Sequence, residues 1–281
     1  MLRTALLVIA VYLGVMVLPL ARAAPQAGAW QPLAMHCGAF LLVGLAAAGA
    51  LGPVLTACVA LTIVPFMYIE LRWLIPAVGH AHADASITQW EALLFPGNPS
   101  RTLATLWPWL PLSELLHAAY LSYYLLIYLP LFLHWARGRH REFSATILAL
   151  SVVYVACFTV YACCPVDGPR FLYGAANAPD GPMRAFALSL LAAGSSRGSA
   201  FPSSHVAASV VAAACALRFH RASGIVISVC TVLLSVGAVY GGFHYAVDIT
   251  AGLFTGGLSL LVARLLEKKA SRAALTPARS Q

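Results

Sequence analysis

Eight runs of mainly apolar residues follow one another along the chain, at residues 5–21, 33–51, 54–76, 113–135, 144–164, 203–219, 223–240 and 245–265. The hydrocarbon core of a bilayer is about 30 Å thick and takes roughly 20 such residues to cross as a helix. Only 9% of the 281 residues are charged and 61% are hydrophobic, too little polar cover for a water-facing surface. The expected fold is therefore all-α, a polytopic membrane helix bundle of about eight transmembrane helices.

Helix-stopping residues fall between the runs: Pro25, Pro32, Gly52-Pro53, Arg137-Gly138-Arg139, Pro165, Pro169 and Ser223-Gly224, where helices end or turn. Residues 77–112 and 165–202 lie outside the runs, and no repeat, low-complexity block or separate soluble domain is visible. Basic residues set the orientation, because cytoplasmic loops near span ends carry the Lys and Arg excess. If eight helices alternate, 11 of the 17 basic residues share one side: Arg3, Arg137, Arg139, Arg141, Arg218, Arg221, Arg264, Lys268, Lys269, Arg272 and Arg279. Both termini are then cytoplasmic. The net charge of +8 reads as contact with anionic lipid at the inner face, with no nucleic-acid partner. Residues 1–23 also resemble a signal peptide ending at Ala21-Arg22-Ala23; a retained first helix is preferred because the apolar run is long for one.

The other six basic residues, Arg22, Arg72, Arg101, Arg170, Arg184 and Arg197, fall to the outer side. Three of them lie in 165–202, directly before Phe201-Pro202-Ser203-Ser204-His205. The seven cysteines show no paired spacing and read as small buried hydrophobes; Cys163 and Cys164 alone sit where a reactive role is conceivable.

Polar side chains gather at outer span ends. A helix starting near Ser203 offers unpaired N–H groups and the positive end of its dipole, which suit an anion such as phosphate. Ser203 or Ser204 can cap that helix or donate to a phosphate oxygen. His244 and Asp248, four residues apart, share a helix face. The carboxylate can accept from one imidazole nitrogen and leave the other as nucleophile or base. Each feature alone has an ordinary explanation: a helix start, an interfacial histidine at His205, a structural hydrogen bond at His244, an interfacial anchor at Arg170. All of them at one depth point to a phosphate-handling site.

These residues resemble the type-2 phosphatidic acid phosphatase superfamily, whose motifs are K-x6-R-P, P-S-G-H and S-R-x5-H-x3-D on a six-helix core. Pro202-Ser203-Ser204-His205 is similar to the second motif and His244 to Asp248 to the third, with Gly168-Pro169-Arg170-Phe171 standing for the first. The resemblance implies that His244 attacks phosphorus to give a phosphohistidine, Asp248 orients its ring and His205 serves as acid and then base. Arg170, Ser203 and Ser204 would hold the phosphoryl oxygens, and neither a metal nor a cofactor is implied. Two family cations are missing: Cys163 stands at the Lys position and Ala238 at the Arg position. Arg197 or Arg184 is a candidate replacement. Ser204 in place of Gly, and the missing Arg, are similar to the branch that includes inositol phosphorylceramide synthases, as are Trp90-Glu91, Phe95-Pro96-Gly97 and Glu114 to Tyr124.

The resemblance implies a lipid phosphate or phospholipid substrate, resolved by water or by a polyol or lipid alcohol acceptor. The expected location is the bacterial inner (plasma) membrane, with the site on the periplasmic or extracytoplasmic face. The expected division is two accessory helices (1–52), a catalytic membrane domain (53–266) with an outer cap (77–112) and an active-site loop (165–202), and a basic tail (267–281). The cap has an equal alternative as an interfacial loop whose Trp90, Trp107 and Trp109 sit at headgroup level. Two readings of other classes remain: a haem or metal protein using His36, His117, His134, His205, His220 and His244, and an inactive lipid-binding or transport protein on the same scaffold.

Overall fold

The computed structural model describes residues 1–28 and 30–275; the end of the basic tail, with Arg279, lies outside them. The described chain is helical without strands: α1 (Leu2–Ala27), α2 (Trp30–Ala48), α3 (Pro53–Val78), α4 (Asp84–Leu94), α5 (Pro99–Leu106), α6 (Leu110–Leu121), α7 (Tyr123–Ala136), α8 (His140–Cys163), α9 (Pro169–Tyr173), α10 (Pro182–Gly194), α11 (Ser204–Phe219), α12 (Arg221–Tyr240) and α13 (Ala246–Leu275). Each of the eight apolar runs falls in this set.

Six of these helices, α1, α2, α3, α8, α12 and α13, are long and apolar enough to cross a bilayer, and the chain is an integral membrane protein. The two remaining runs depart from a simple span. The fourth is broken at Ser122 into α6 and α7, inclined at 42°, where the Ser122 hydroxyl donates to the Ala119 carbonyl at 2.7 Å. The sixth, α11, has only 16 residues, and its sequence explains the sharp start: Pro202 precedes it and Ser203 caps it, accepting from the Val206 N–H.

α8 forms the centre and is the most deeply buried of the six. It packs against α1, α3, α7, α11 and α13, and Phe143, Val153, Cys157, Phe158 and Tyr161 are all buried along it. A helix apolar on every side belongs in such a position. Peripheral helices instead turn one apolar face outward: Val11, Val15 and Leu18 on α1 are exposed while Ile9, Leu13 and Leu20 are buried, as expected against lipid. α13 approaches α11 closely through Gly252 and Gly256, where an added Cβ would lie 2.7 Å from the Ser203 carbonyl oxygen and 2.8 Å from that of Ala207. Small residues four apart permit such contact between membrane helices, and here they hold the starts of α11 and α13 side by side.

α1 and α2 pack on each other and on α3, joined by one buried polar contact. His36 Nδ1 lies 2.6 Å from Glu70 Oε1, and its Nε2 lies 2.8 Å from the Leu13 carbonyl oxygen. At the other end of α3, α4 and α5 form within residues 77–112, with Trp90, Trp107 and Trp109 exposed on them or beside them.

Candidate active site

Four segments distant in sequence converge at the starts of α11 and α13. They enclose a small polar cavity, about 40 Å³, whose lining includes Tyr68, Tyr120, Asp167, Arg170, Ser195, Ser204, His205 and His244.

His244 lies in the turn between α12 and α13, where its N–H and that of Phe243 both donate to the Ala238 carbonyl, at 3.1 and 2.9 Å. Its Nδ1 lies 3.3 Å from Asp248 Oδ2. A carboxylate oxygen accepts, so Nδ1 carries the proton and Nε2 keeps a lone pair for the cavity. The same Oδ2 accepts the Tyr245 N–H at 2.8 Å, the reach-back of a residue three places into a helix. Asp248 is fully buried, and its Oδ1 has no partner among the described residues.

Glu91 completes the α13 terminus. Its two oxygens accept the N–H groups of Ala246 and Val247 at 3.1 and 2.9 Å, from a position 1% exposed. The first-turn amides of α13 are therefore consumed by protein carboxylates and are closed to a phosphate. The sequence signal was present, since Glu91 is an acid in a chain with few, but nothing in its spacing tied it to residue 246.

At α11 the division of labour differs from the expectation. Ser203 is wholly buried and structural: its hydroxyl accepts the Val206 N–H at 3.4 Å and its N–H donates to the Asp248 carbonyl at 3.0 Å. The Ser204 N–H donates to the Tyr161 hydroxyl at 3.1 Å, and that hydroxyl donates to the Pro202 carbonyl at 2.8 Å. Among the described residues these bonds leave the His205 N–H as the first-turn amide without a named acceptor, and Ser204 and His205 both line the cavity. The His205 ring stacks on Tyr120 with centroids 5.1 Å apart, lies 4.2 Å from Tyr123, and faces His244 at 6.2 Å.

Arg170 enters from α9. It is half-buried, donates from Nη2 to Ser195 Oγ, lies 4.3 Å over the Phe171 ring, and has no carboxylate within ion-pair distance among the described residues. Burial pulls its pKa below the ordinary arginine value, yet a guanidinium stays charged in proteins. A partly desolvated cation without a counterion is costly unless an anion joins it. The segment carrying it is fastened twice. Val166 pairs with Gly198 and Ala200 through backbone bonds of 3.1 and 2.9 Å, and Asp84 accepts the Asp167 and Gly168 N–H groups at 3.0 Å. Gly168 has φ 83°, and a Cβ there would sit 2.8 Å from the Ala200 Cβ, so glycine is required.

The two candidate replacement cations are elsewhere. Arg197 donates from Nε and Nη2 to Asp167 Oδ2 at 3.0 and 2.5 Å, which raises its pKa; its side chain is 65% exposed. Arg184 donates to Asp180 and to the Ala176 carbonyl. Neither lines the cavity. Cys163 is exposed, and Ala238 is buried against Tyr120, Ala187 and Phe243, so neither family cation position supplies a charge.

Beside the polar cavity, sharing Tyr68, Ser195, Ser204 and His205 with it, lies an apolar chamber of about 310 Å³. Its further walls include Tyr124 and Tyr128 of α7, Tyr154 and Phe158 of α8 and Leu190 of α10.

A family model described as the PAP2 superfamily matches residues 89–262, which include every group around the cavity except Tyr68. No curated protein and no solved structure matches the chain.

Proposed function

The chain belongs to the PAP2 superfamily, whose members are phosphatases or phosphotransferases, and from that premise we propose that it cleaves a lipid phosphate through a phosphohistidine formed on His244. The observation that carries this reading is the half-buried Arg170, without a carboxylate partner among the described residues, on one cavity with the two imidazoles. It is a standing cation where a phosphoryl group would meet both a nucleophile and an acid.

A phosphoryl group between the two rings would have His244 Nε2 at phosphorus and the leaving oxygen toward His205. The two rings lie side by side on the cavity, with centroids 6.2 Å apart, which supports their acting on one phosphoryl group. In the first step the Nε2–P bond forms and the P–O bond to the lipid breaks, with the His205 proton passing to the leaving alcohol. In the second step His205 takes the proton of the acceptor hydroxyl as that oxygen bonds to phosphorus and the P–N bond breaks. Asp248 holds the His244 tautomer and stabilises the charge that develops on the ring. Arg170, the Ser204 hydroxyl and the His205 N–H receive the charge of the equatorial oxygens; Ser203 acts one layer behind them, holding the turn. Arg197, paired to Asp167, fixes the loop that presents Arg170.

A lipid substrate is supported by the apolar chamber, which takes a hydrocarbon chain next to the reacting groups. The shortness of α11 supports a recessed site: 16 residues rise roughly 24 Å against a hydrocarbon thickness of about 30 Å. The basic-residue distribution supports cytoplasmic termini and a site on the extracytoplasmic face, and α4 and α5 support residues 77–112 as a cap within a catalytic domain 53–266.

Headgroup transfer to a polyol or lipid alcohol, as in inositol phosphorylceramide synthases, is the second reading. It is favoured by Arg170 being the one arginine on the cavity among the described residues, where the family motif carries further cations, since a diester has less charge to neutralise than a monoester. The test is purified protein with labelled lipid phosphates, diphosphates and phospholipids, with and without polyol acceptors, against His244→Ala. Free phosphate that disappears in the variant establishes hydrolysis, and a His244-dependent product only with acceptor establishes transfer. No His244-dependent product from any donor overturns both and leaves a lipid-binding or transport role.

A further inference from the structure

At the end of the bundle away from the catalytic cavity, a groove of about 450 Å³ runs between α7 and the junction of α11 with α12. Its volume lies within the roughly 300–1,000 Å³ of ligand pockets. The floor and walls are apolar: Leu125, Leu129 and Leu133 descend one side of α7, facing Ala216, Val226 and Ile227. Leu125, Leu129 and Val226 are exposed, so the groove opens sideways, toward lipid in a membrane.

Its mouth has a different character. His134, Arg137, Arg139 and His220 gather there. Arg137 and Arg139 are exposed and have no carboxylate within ion-pair distance among the described residues. The basic neighbour Arg218 is not available, because Glu267 takes both its terminal nitrogens at 2.7 and 2.9 Å. His220 Nδ1 accepts the Ser223 N–H at 3.3 Å and faces its hydroxyl at 2.9 Å, which puts the ring proton on Nε2 as a further outward donor.

We propose that this groove is a binding site for an anionic phospholipid of the leaflet opposite the active site, one acyl chain lying along α7 and the phosphate held by Arg137, Arg139 and His220. Charge complementarity selects the occupant. A second copy of the chain would bring its own basic end to the mouth, and a neutral lipid would leave two arginines unpaired. Because α11 runs from the Ser203 cap to this mouth, the bound lipid would brace the helix that carries Ser204 and His205.

The test is native mass spectrometry of protein released from vesicles of equal phosphatidylglycerol and phosphatidylcholine, counting retained lipid. Wild type should retain phosphatidylglycerol selectively. Arg137→Gln with Arg139→Gln should lower retention roughly 30-fold, about five-fold for each cation, and the Lys pair should restore most of it. Val226→Trp, which fills the groove and leaves the charge intact, should also lower retention, whereas His244→Ala should not, which separates this site from the catalytic reading. Equal retention of phosphatidylcholine, retention unmoved by either the Gln pair or the Trp variant, glycerol phosphate competing as well as the whole lipid, or a lipid-free dimer that the Trp variant breaks would each overturn the proposal.

Discussion

Asp248 serves two donors with one oxygen, the His244 Nδ1–H and the Tyr245 N–H. Asn keeps the size but brings an amide that donates as well as accepts, so the His244 tautomer is no longer enforced. Asp248→Asn should lower turnover about 10²- to 10⁴-fold in steady-state assays on whichever donor the wild type uses, while the purified protein keeps its elution profile. Arg170 gives a sharper separation. Arg170→Gln should cost about 10²- to 10³-fold in kcat, the scale for removing one donor to developing negative charge, whereas Arg197→Gln, which only loosens Asp167, should cost far less. If the two are equal in kinetic assays, Arg197 reaches phosphate in the working enzyme.

At the scale of elements, the turn that carries His244 is a junction clamped by its neighbours. Glu91 on α4 occupies two amides of α13 without lining the cavity, which makes it a positioning residue. Losing a terminal cap costs about 0.5–2 kcal/mol, and a small displacement of a catalytic group is amplified in rate. Glu91→Ala should therefore reduce kcat roughly tenfold with KM little changed, and a matching rise in KM would place Glu91 in binding instead. The contact of α13 with α11 has less freedom. Gly252→Leu would drive a side chain into the Ser203 carbonyl, separating the two helix starts; both thermal stability in detergent and turnover should fall, by more than for Gly257→Leu, where an added Cβ meets nothing within 4 Å.

For the whole molecule, α1 and α2 are joined to α3 through a buried pair, His36 and Glu70, both under 3% exposed. With Nε2 donating to the Leu13 carbonyl, the single proton between Nδ1 and the carboxylate belongs to the pair. Removing one partner of a buried pair costs about 3–5 kcal/mol, while replacing both by apolar groups is often neutral. His36→Leu should therefore lower the thermal midpoint of the detergent-solubilised protein well below wild type, and His36→Leu with Glu70→Leu should recover most of the loss. A double variant as unstable as the single would mean that the pair itself holds α1 and α2 in place.

Much was legible in the chain alone, for a reason specific to membranes. Hydrocarbon demands long apolar helices, so all eight runs appear as helices or helix pairs, and the scarcity of polar residues made His205, His244, Asp248 and Arg170 stand out before their positions were known. Motif spacing carried the family, because His244 and Asp248 meet through local helix geometry. What local sequence could not convey was contact between remote segments, Glu91 on the α13 terminus, Tyr161 on the α11 terminus and Arg197 on Asp167, and the break at Ser122. Those depend on how helices cross and which polar group reaches an unpaired amide first. Hydrophobicity, a property of single residues, determined that the chain is a bundle; the pairing of a few polar groups across 30 to 156 residues of sequence, decided only by tertiary packing, gave one end of it a polar cavity.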